Sequence, residues 1–235
     1  MVDISISESD AHCRYIAHAA AALAAAKAPA AAKVRFAGGR VRFVLSADDE
    51  KAPRLCAAAE NAVAEIVCVG YKYEFMRAAV QPAGLSARER ELLLAAVIAA
   101  DLEADKKYVR ARLAQESEHC FDGLFRFRLR PLREKWREVA AVIPPCFTAA
   151  QLHDFLEYLL RAGAGRVFLK GEDVFDSRCR RLRRARLIEE GRSELNALRE
   201  IVLSGAGRVE CLSAVSAAQE SFLKSYYAGR VYFAR

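Results

Sequence analysis

The stretch that decides the class of fold is KVRFAGGRVRFVL, Lys33–Leu45. Val34 and Phe36 alternate with basic residues ahead of the pair Gly38-Gly39, and apolar residues alternate again after it. This alternation is typical of a half-exposed strand, and two adjacent glycines supply the positive φ angles of a two-residue turn. The stretch therefore predicts a β-hairpin.

The residues before the hairpin predict a further strand and a helix. Val2–Ser7 alternates in the same way, with Ile4 and Ile6 on one face. Ser9 has the residue type of a helix N-cap, and the Ala-rich run behind it predicts a helix to about Lys27. Because Lys27 and a proline interrupt this run, it falls short of the ~20 apolar residues that a membrane span needs, and we expect no membrane association.

Helical spacing replaces alternation after the hairpin. From Pro53 onward, apolar residues recur at steps of three and four as far as Met76, which predicts a helix that ends by Gln81-Pro82. Ser86 and Glu89 then have capping-box spacing, and a long helix is predicted from there to about Glu116.

The last third of the chain predicts alternating helices and strands. Capping-box pairs that begin at Thr148 and Ser216 predict two helix starts. The first helix is predicted to end at Gly163 and the second at Tyr227, ahead of Gly229. Three short segments rich in apolar residues predict strands: 167–169, 208–212 and 230–234. Strand, helix and strand within ~25 residues favour a crossover connection and parallel pairing.

The fold class predicted from these patterns is α+β. We expect an N-terminal strand/hairpin-plus-helix part over residues 1–117, central helices over 118–163 and a small C-terminal α/β unit over 164–235. The 235-residue chain is 54% hydrophobic, enough for a sizeable core, and its net charge of +7 permits acidic partners without requiring them.

The segment FDGLFRFRLRPLREKW, Phe121–Trp136, has two interpretations. As a strand, it would place Arg126, Arg128 and Arg130 on one face, as in a basic sheet surface. As a helix, it would form an apolar seam with steps of four, three, four and three, comprising Phe125, Leu129, Leu132, Trp136 and Val139. The alternation stops at Pro131, so the helix is favoured, with a kink or a fresh start at that proline.

FDGLFRFRLRPLREKW resembles the central helix of the YtxC-like sporulation proteins. The preceding AENAVAEIVCVGYKYEF resembles the helical region of that family, and LNALREIVLSGAGRVECLS with YAGRVYFAR resembles its C-terminal strand–helix–strand unit. The likeness covers most of residues 34–235. It implies a role connected with endospore formation and implies no active residue, because the shared motifs are structural. The Ala-rich N-terminal region and the arginine run described next depart from the family pattern.

The strongest charge signal is RCRRLRRAR, with six arginines in nine residues. Such density suits phosphate binding through guanidinium groups. The alternative is a solvated hairpin edge whose charges prevent aggregation, with much of the charge neutralised by the nearby acids Glu172, Asp173, Asp176, Glu189 and Glu190. The candidate interaction surface comprises Arg178, Arg180, Arg181, Arg183, Arg184 and Arg186, together with Arg126, Arg130, Arg133 and Arg137 of the central helix.

Other chemistry-bearing residues form no recognisable site. The seven cysteines show no C-x-x-C spacing and the four histidines no ligand spacing, so we expect neither a metal nor a cofactor. The GAGRV segments at Gly163 and Gly205 follow helices and precede strands, the reverse of a phosphate loop, and predict helix ends. With scattered cysteines and no basic leader at the start of the sequence, we expect a cytoplasmic protein.

Three functional hypotheses follow. The first is a cytoplasmic, sporulation-associated protein of unknown biochemical activity that acts through protein contacts. The second is a nucleic-acid-binding module that uses residues 178–186, although no base-reading motif is present. The third, an enzyme, has no catalytic constellation behind it. The sequence predicts neither the identity of a partner nor an oligomeric state.

Overall fold

The computed structural model describes residues 2–26, 31–113, 118–163, 165–188 and 193–233. The chain forms two compact units. The first comprises Met1–Lys72 and Glu103–Glu138, and the second comprises Tyr73–Leu102 and Val139–Arg235. The predicted α+β mixture is confirmed, with N-terminal strands and a helix, a helical middle, and C-terminal strands with helices. The three-segment division along the sequence stays a prediction.

The first unit contains a four-stranded sheet with the order β2-β3-β1-β4. Its strands are β1 (Val2–Ser9), β2 (Ala31–Ala37), β3 (Arg40–Ala47) and β4 (Glu118–Cys120). The hairpin prediction is confirmed: β2 and β3 pair antiparallel around Gly38 and Gly39, whose φ angles are 57° and 71°. The sequence did not predict β4, a three-residue strand that pairs parallel to β1.

Helix α1 (Cys13–Ala25) covers one face of this sheet. A short 3-10 turn at Asp10–His12 separates it from β1, and the side chain of Ser9 makes no capping hydrogen bond. Ser9 thus immediately precedes the helical segment, as predicted, but its side chain does not cap it. The buried face of α1 comprises Tyr15, Ile16, Ala19 and Leu23.

The helical region after the hairpin is continuous but not uniform. It comprises α2 (Ala52–Glu65), a π-helical segment (Ile66–Tyr71) and α3 (Lys72–Ala79), and all six π-helical residues are buried. Gly70 lies so close to Tyr15 that a Cβ atom on it would be 2.6 Å from the tyrosine ring. A glycine at this position lets the π-helical backbone approach the face of α1.

The predicted capping box at the start of α4 (Ala87–Leu113) is confirmed. The N–H of Ser86 donates to the Glu89 carboxylate at 2.8 Å, and the N–H of Glu89 donates to the Ser86 hydroxyl at 3.3 Å. The Ser86 hydroxyl, which donates to the Glu89 carboxylate at 2.6 Å, and the Ser86 N–H hold the pKa of Glu89 below its ordinary value. The first turns of α4 belong to the second unit and its later turns to the first.

The segment that begins at Phe121 is helical, as the spacing predicted. It comprises α5 (Phe121–Gly123), a π-helical segment (Leu124–Arg128) and α6 (Arg130–Val142). The backbone leaves the helical region at Leu129, where φ is −102° and ψ is 27°, so α6 starts afresh beside Pro131. Leu129, Leu132 and Trp136 of the predicted seam are buried.

The second unit contains a four-stranded sheet with the order β6-β5-β7-β8. Its elements are α7 (Ala149–Ala162), β5 (Arg166–Lys170), β6 (Asp173–Phe175), α8 (Ser193–Ser204), β7 (Arg208–Cys211), α9 (Ala217–Tyr226) and β8 (Val231–Phe233). The predicted parallel pairing is confirmed for β5, β7 and β8. The predicted capping boxes at Thr148 and Ser216 are both formed. The antiparallel edge strand β6 was not predicted.

The two GAGRV segments end helices, as predicted, and they also pack against each other. Their strands pair in parallel with Arg166 opposite Arg208. A Cβ atom on Gly163 would lie 2.1 Å from the carbonyl oxygen of Gly205, and one on Gly207 would lie 2.3 Å from that of Gly163. The absence of side chains at these glycines is what allows the two backbones to approach.

We predict that Gly70→Ala destabilises the protein by about 1–3 kcal/mol, because the new methyl group must displace the ring of Tyr15. Urea unfolding at neutral pH measures the change. Gly123→Ala is the matched control, since its methyl group would lie 3.5 Å from the nearest atom, an ordinary contact distance. Equal stability of the Gly70→Ala variant and the unsubstituted protein would contradict the prediction.

Candidate functional site

The arginine run forms a hairpin at the edge of the second sheet. We call Asp173–Leu187 the arginine hairpin. Phe175 of β6 bridges to Arg181, and the N–H of Leu182 donates to the carbonyl of Val174 at 2.8 Å. Cys179 occupies the left-handed region with φ of 57° and completes the turn. Because β6 is the edge strand of its sheet, this part of the arginine run has the geometry of a hairpin edge, which was the predicted alternative to a phosphate-binding site.

Asp176 organises the turn of the arginine hairpin. One carboxylate oxygen accepts from the backbone N–H groups of Arg178 and Arg180, both at 2.9 Å, and the other lies 2.7 Å from the Arg180 guanidinium. Partial burial alone would raise the pKa of Asp176, but the hydrogen bonds from Arg180 outweigh it and hold that pKa below its ordinary value. Asp176 therefore stays ionised and fixes the loop.

The six arginines of the run are not equivalent. Arg180 and Arg181 form ion pairs with Asp176 and Asp173, and Arg184 donates to the carbonyl oxygen of Leu203 at 3.0 Å. The remaining three are exposed: Arg178, Arg183 and Arg186. The predicted neutralisation by nearby acids thus holds for two arginines, while Glu189 and Glu190 lie outside the described residues.

A cleft of about 100 Å³ lies beside the arginine hairpin. Its charged lining residues are Glu172, Asp173, Arg181, Arg183, Arg186 and Glu200. Three cations face three acids, and the buried Glu200 carboxylate accepts from the N–H of Ala185 at 2.7 Å. The balanced charge does not single out an anionic ligand for this cleft.

The arginines predicted on the central helix lie in the first unit, on or beside α6. Arg130 pairs with Glu134 at 2.9 Å on the exposed side. The guanidinium of Arg133 lies 5.3 Å from the centre of the Phe125 ring and donates to the carbonyl of Arg126. Arg126 and Arg137 are exposed. These side chains lie on the surface of helical segments and not on a sheet, so the strand interpretation is wrong.

A buried carboxylate in the first unit was missed by the sequence analysis. Asp105 on α4 accepts hydrogen bonds from Lys72, Lys135 and Trp136, each at 2.8 Å. Lys72 and Asp105 are almost wholly buried, whereas Lys135 reaches solvent. We call these four residues the Asp105 cluster.

The electrostatics of the Asp105 cluster favour an ionised carboxylate. Burial alone would raise the pKa of Asp105, but the adjacent ammonium groups of Lys72 and Lys135 and the Trp136 N–H outweigh it and lower that pKa. The same burial raises the pKa of the nearby Cys68 thiol well above its ordinary value. A thiol held in its neutral form is a poor nucleophile. The Asp105 cluster thus links α3, α4 and α6 through hydrogen bonds to one ionised carboxylate.

A row of rings connects the Asp105 cluster to a second buried acid, Glu8. Tyr71 donates to Glu8, and its ring lies 5.4 Å from Tyr15 and 4.7 Å from Phe125. The Phe125 ring in turn lies 5.8 Å from that of Trp136. The sequence contained a signal for Glu8, because it follows Ile4 and Ile6 on the core-facing side of β1.

Strand β2 was predicted as one arm of the hairpin, but its complete exposure was not predicted. Each of its seven residues is exposed, including Val34 at 51% and Phe36 at 69%. Val34 and Phe36 lie opposite Phe43 and Val41, whose side chains are buried. The core-facing side of the sheet thus continues onto β2 and is left uncovered there.

The histidines do not come together in a site among the described side chains. His18 lies 3.0 Å from Glu65, and His153 lies 3.1 Å from the carbonyl of Ser225. In the described part of the chain, no group of three His, Cys, Asp or Glu side chains is placed to hold a metal ion. The side chain of His119 falls outside the described residues.

Comparison with known proteins identifies no relative. No family model, curated protein or solved structure matches the chain. None of the described helices combines the length and the apolar character needed to cross a membrane.

We predict that Asp105→Asn destabilises the protein by about 3–5 kcal/mol at neutral pH, because it removes the carboxylate charge that lies 2.8 Å from the buried Lys72 ammonium. Urea unfolding measures the loss. Glu103→Gln on the same helix is the matched control: its side chain is 75% exposed, and we expect a change below about 0.5 kcal/mol. A loss below about 1 kcal/mol for Asp105→Asn would contradict the prediction.

The same variant has a predictable pH dependence. Since folding lowers the pKa of Asp105 from its ordinary value of 3.8, the ionised carboxylate stabilises the folded state above that value. This contribution is lost as the pH falls below 3.8 toward the lowered pKa. The stability difference between the unsubstituted protein and Asp105→Asn should therefore narrow progressively as the pH falls below 3.8. A constant difference would show that Asp105 does not titrate as its contacts require.

Proposed function

We propose that the protein is a cytoplasmic, sporulation-associated protein that acts by binding other proteins. The observation that carries the protein-binding part is β2, a fully exposed edge strand with Val34 and Phe36 on its surface. The open backbone groups of such an edge can pair with another strand, and an extended segment of a partner protein would satisfy them. The resemblance of Phe121–Trp136 and its flanking segments to the YtxC-like proteins supports the sporulation setting.

The proposal is tested in the organism that carries the chain. Its gene is deleted, and the deletion is complemented with the unsubstituted protein, with Phe36→Asp or with Phe127→Asp. Phe127 is the matched control because it is 82% exposed and lies on a different element, the π-helical segment Leu124–Arg128. We expect Phe36→Asp to lower the count of heat-resistant spores toward that of the deletion, and Phe127→Asp to restore it.

Two results would overturn parts of this proposal separately. An organism that forms no endospores removes the sporulation setting and leaves protein binding to be tested by another phenotype. Full complementation by Phe36→Asp removes β2 as the functional surface. Because Phe36 is exposed, the substitution should change stability by no more than about 0.5 kcal/mol, which thermal unfolding of the purified variant verifies.

A second function, nucleic-acid binding, has one observation in its favour. Arg178, Arg183 and Arg186 are exposed on or beside an edge hairpin, where their guanidinium groups are accessible to phosphates. Nonspecific binding of this kind depends steeply on salt, because each neutralised phosphate releases counterions. The three arginines are the residues on which this second function rests.

The test is fluorescence anisotropy with labelled random duplex DNA and RNA at low and near-physiological salt. If the arginine hairpin binds phosphates, reversing Arg178, Arg183 and Arg186 to glutamate should weaken binding and reduce the log–log salt slope by up to about three. Reversal of Lys51, Arg54 and Lys107, which are exposed and lie outside the candidate interaction surface, is the control with equal charge change. Equal effects of both triple reversals would indicate a response to total charge, and no binding at low salt would remove this function.

A further inference from the structure

We infer that β2 takes up an extended, acidic segment of a partner protein, which adds to the sheet as a fifth strand. This inference rests on the proposed protein-binding function and specifies the chemistry of the partner. Strand addition uses the backbone of the exposed edge for affinity and the alternating side chains for selectivity. β2 meets both requirements.

The backbone requirement follows from the register of the hairpin. Its turn has two residues, so Ala37 and Arg40 form the hydrogen-bonded pair beside it, and bonded and non-bonded pairs then alternate. Phe36 and Val34 fall in non-bonded pairs with β3. Their N–H and C=O groups therefore point away from β3, toward the open edge.

The side-chain requirement follows from the two faces of β2. Val34 and Phe36 lie on the core-facing side and extend an apolar surface beyond the buried Phe43. Lys33 and Arg35 lie on the other side, where Arg42 of β3 is opposite Arg35. One face is thus apolar and the other basic.

The apolar face and the basic face of β2 together define the chemistry of the strand that can pair with it. An added strand fits when it places apolar residues beside Val34 and Phe36 and acidic residues beside Lys33 and Arg35, because opposite charges across a strand pair stabilise it. A second copy of this chain would instead bring the two basic faces together, and like charges directly opposite each other are destabilising. The net charge of +7 also favours approach by an acidic segment.

The test uses two labelled peptides of about eight residues, a common strand length, that alternate valine with glutamate or valine with lysine. Fluorescence anisotropy at low salt measures their binding to the full chain. We expect the glutamate peptide to bind at least about tenfold more tightly than the lysine peptide. The charge-reversal variant Lys33→Glu/Arg35→Glu should show the opposite preference. Lys51→Glu/Arg54→Glu, an exposed pair on and beside α2 with the same charge change, should keep the original preference.

A backbone variant separates strand addition from attraction by charge. Val34→Pro removes an outward-pointing N–H and leaves the pairing with β3, since proline is tolerated at such edge positions. We expect it to reduce binding of the glutamate peptide at least about tenfold, with unchanged secondary structure by circular dichroism. Binding that survives Val34→Pro, or equal binding of both peptides, would overturn the inference.

The remaining outcomes separate this inference from the proposed function. Self-association that sedimentation detects and Val34→Pro abolishes would make a second copy the occupant and overturn the acidic partner. Loss of complementation by Phe36→Asp without glutamate-peptide binding would retain the proposed function and reject the partner chemistry. Glutamate-peptide binding with full complementation by Phe36→Asp would support the partner chemistry and reject the cellular role of this edge.

Discussion

The first unit depends on one buried carboxylate. Asp105 accepts from an ammonium group at the start of α3, from another on α6 and from the indole of Trp136, so three helices meet at one side chain. Burying an unpaired charge is costly, and each member of this cluster is tolerated because the others are present. The row of rings from Trp136 through Phe125 to Tyr71 then connects this joint with Glu8 on the sheet.

The two sheets protect their edges differently, and the difference bears on function. In the second unit, the arginine hairpin folds back on β6 and pairs with it, so backbone groups at that edge are partly satisfied within the chain. In the first unit, β2 has no such covering among the described residues, and its charges lie on one face. Basic side chains on an edge strand limit pairing between identical copies while permitting pairing with an acidic strand.

Local patterns predicted the elements well where a short motif determines them. Gly38-Gly39 fixes the hairpin, and the capping boxes at Ser86, Thr148 and Ser216 mark helix starts. Long-range contacts were not predictable in this way. The strand β4 is three residues long and exists through its pairing with β1. Lys72 and Asp105 look like ordinary surface charges in sequence, and only the tertiary fold brings their charged groups within 2.8 Å of each other. The exposure of β2 likewise depends on where α1 packs.

The contact between the two GAGRV segments restricts how this sequence can change over evolutionary time. Where two leucines touch in a core, one partner can shrink while the other grows, so volume can be exchanged between them. Gly163 and Gly207 already have the smallest possible residue, and their would-be methyl groups point at backbone atoms. No second substitution can make room. Invariance of these glycines among descendants of this sequence would therefore record a packing limit, and it should not be mistaken for the signature of a nucleotide-binding loop.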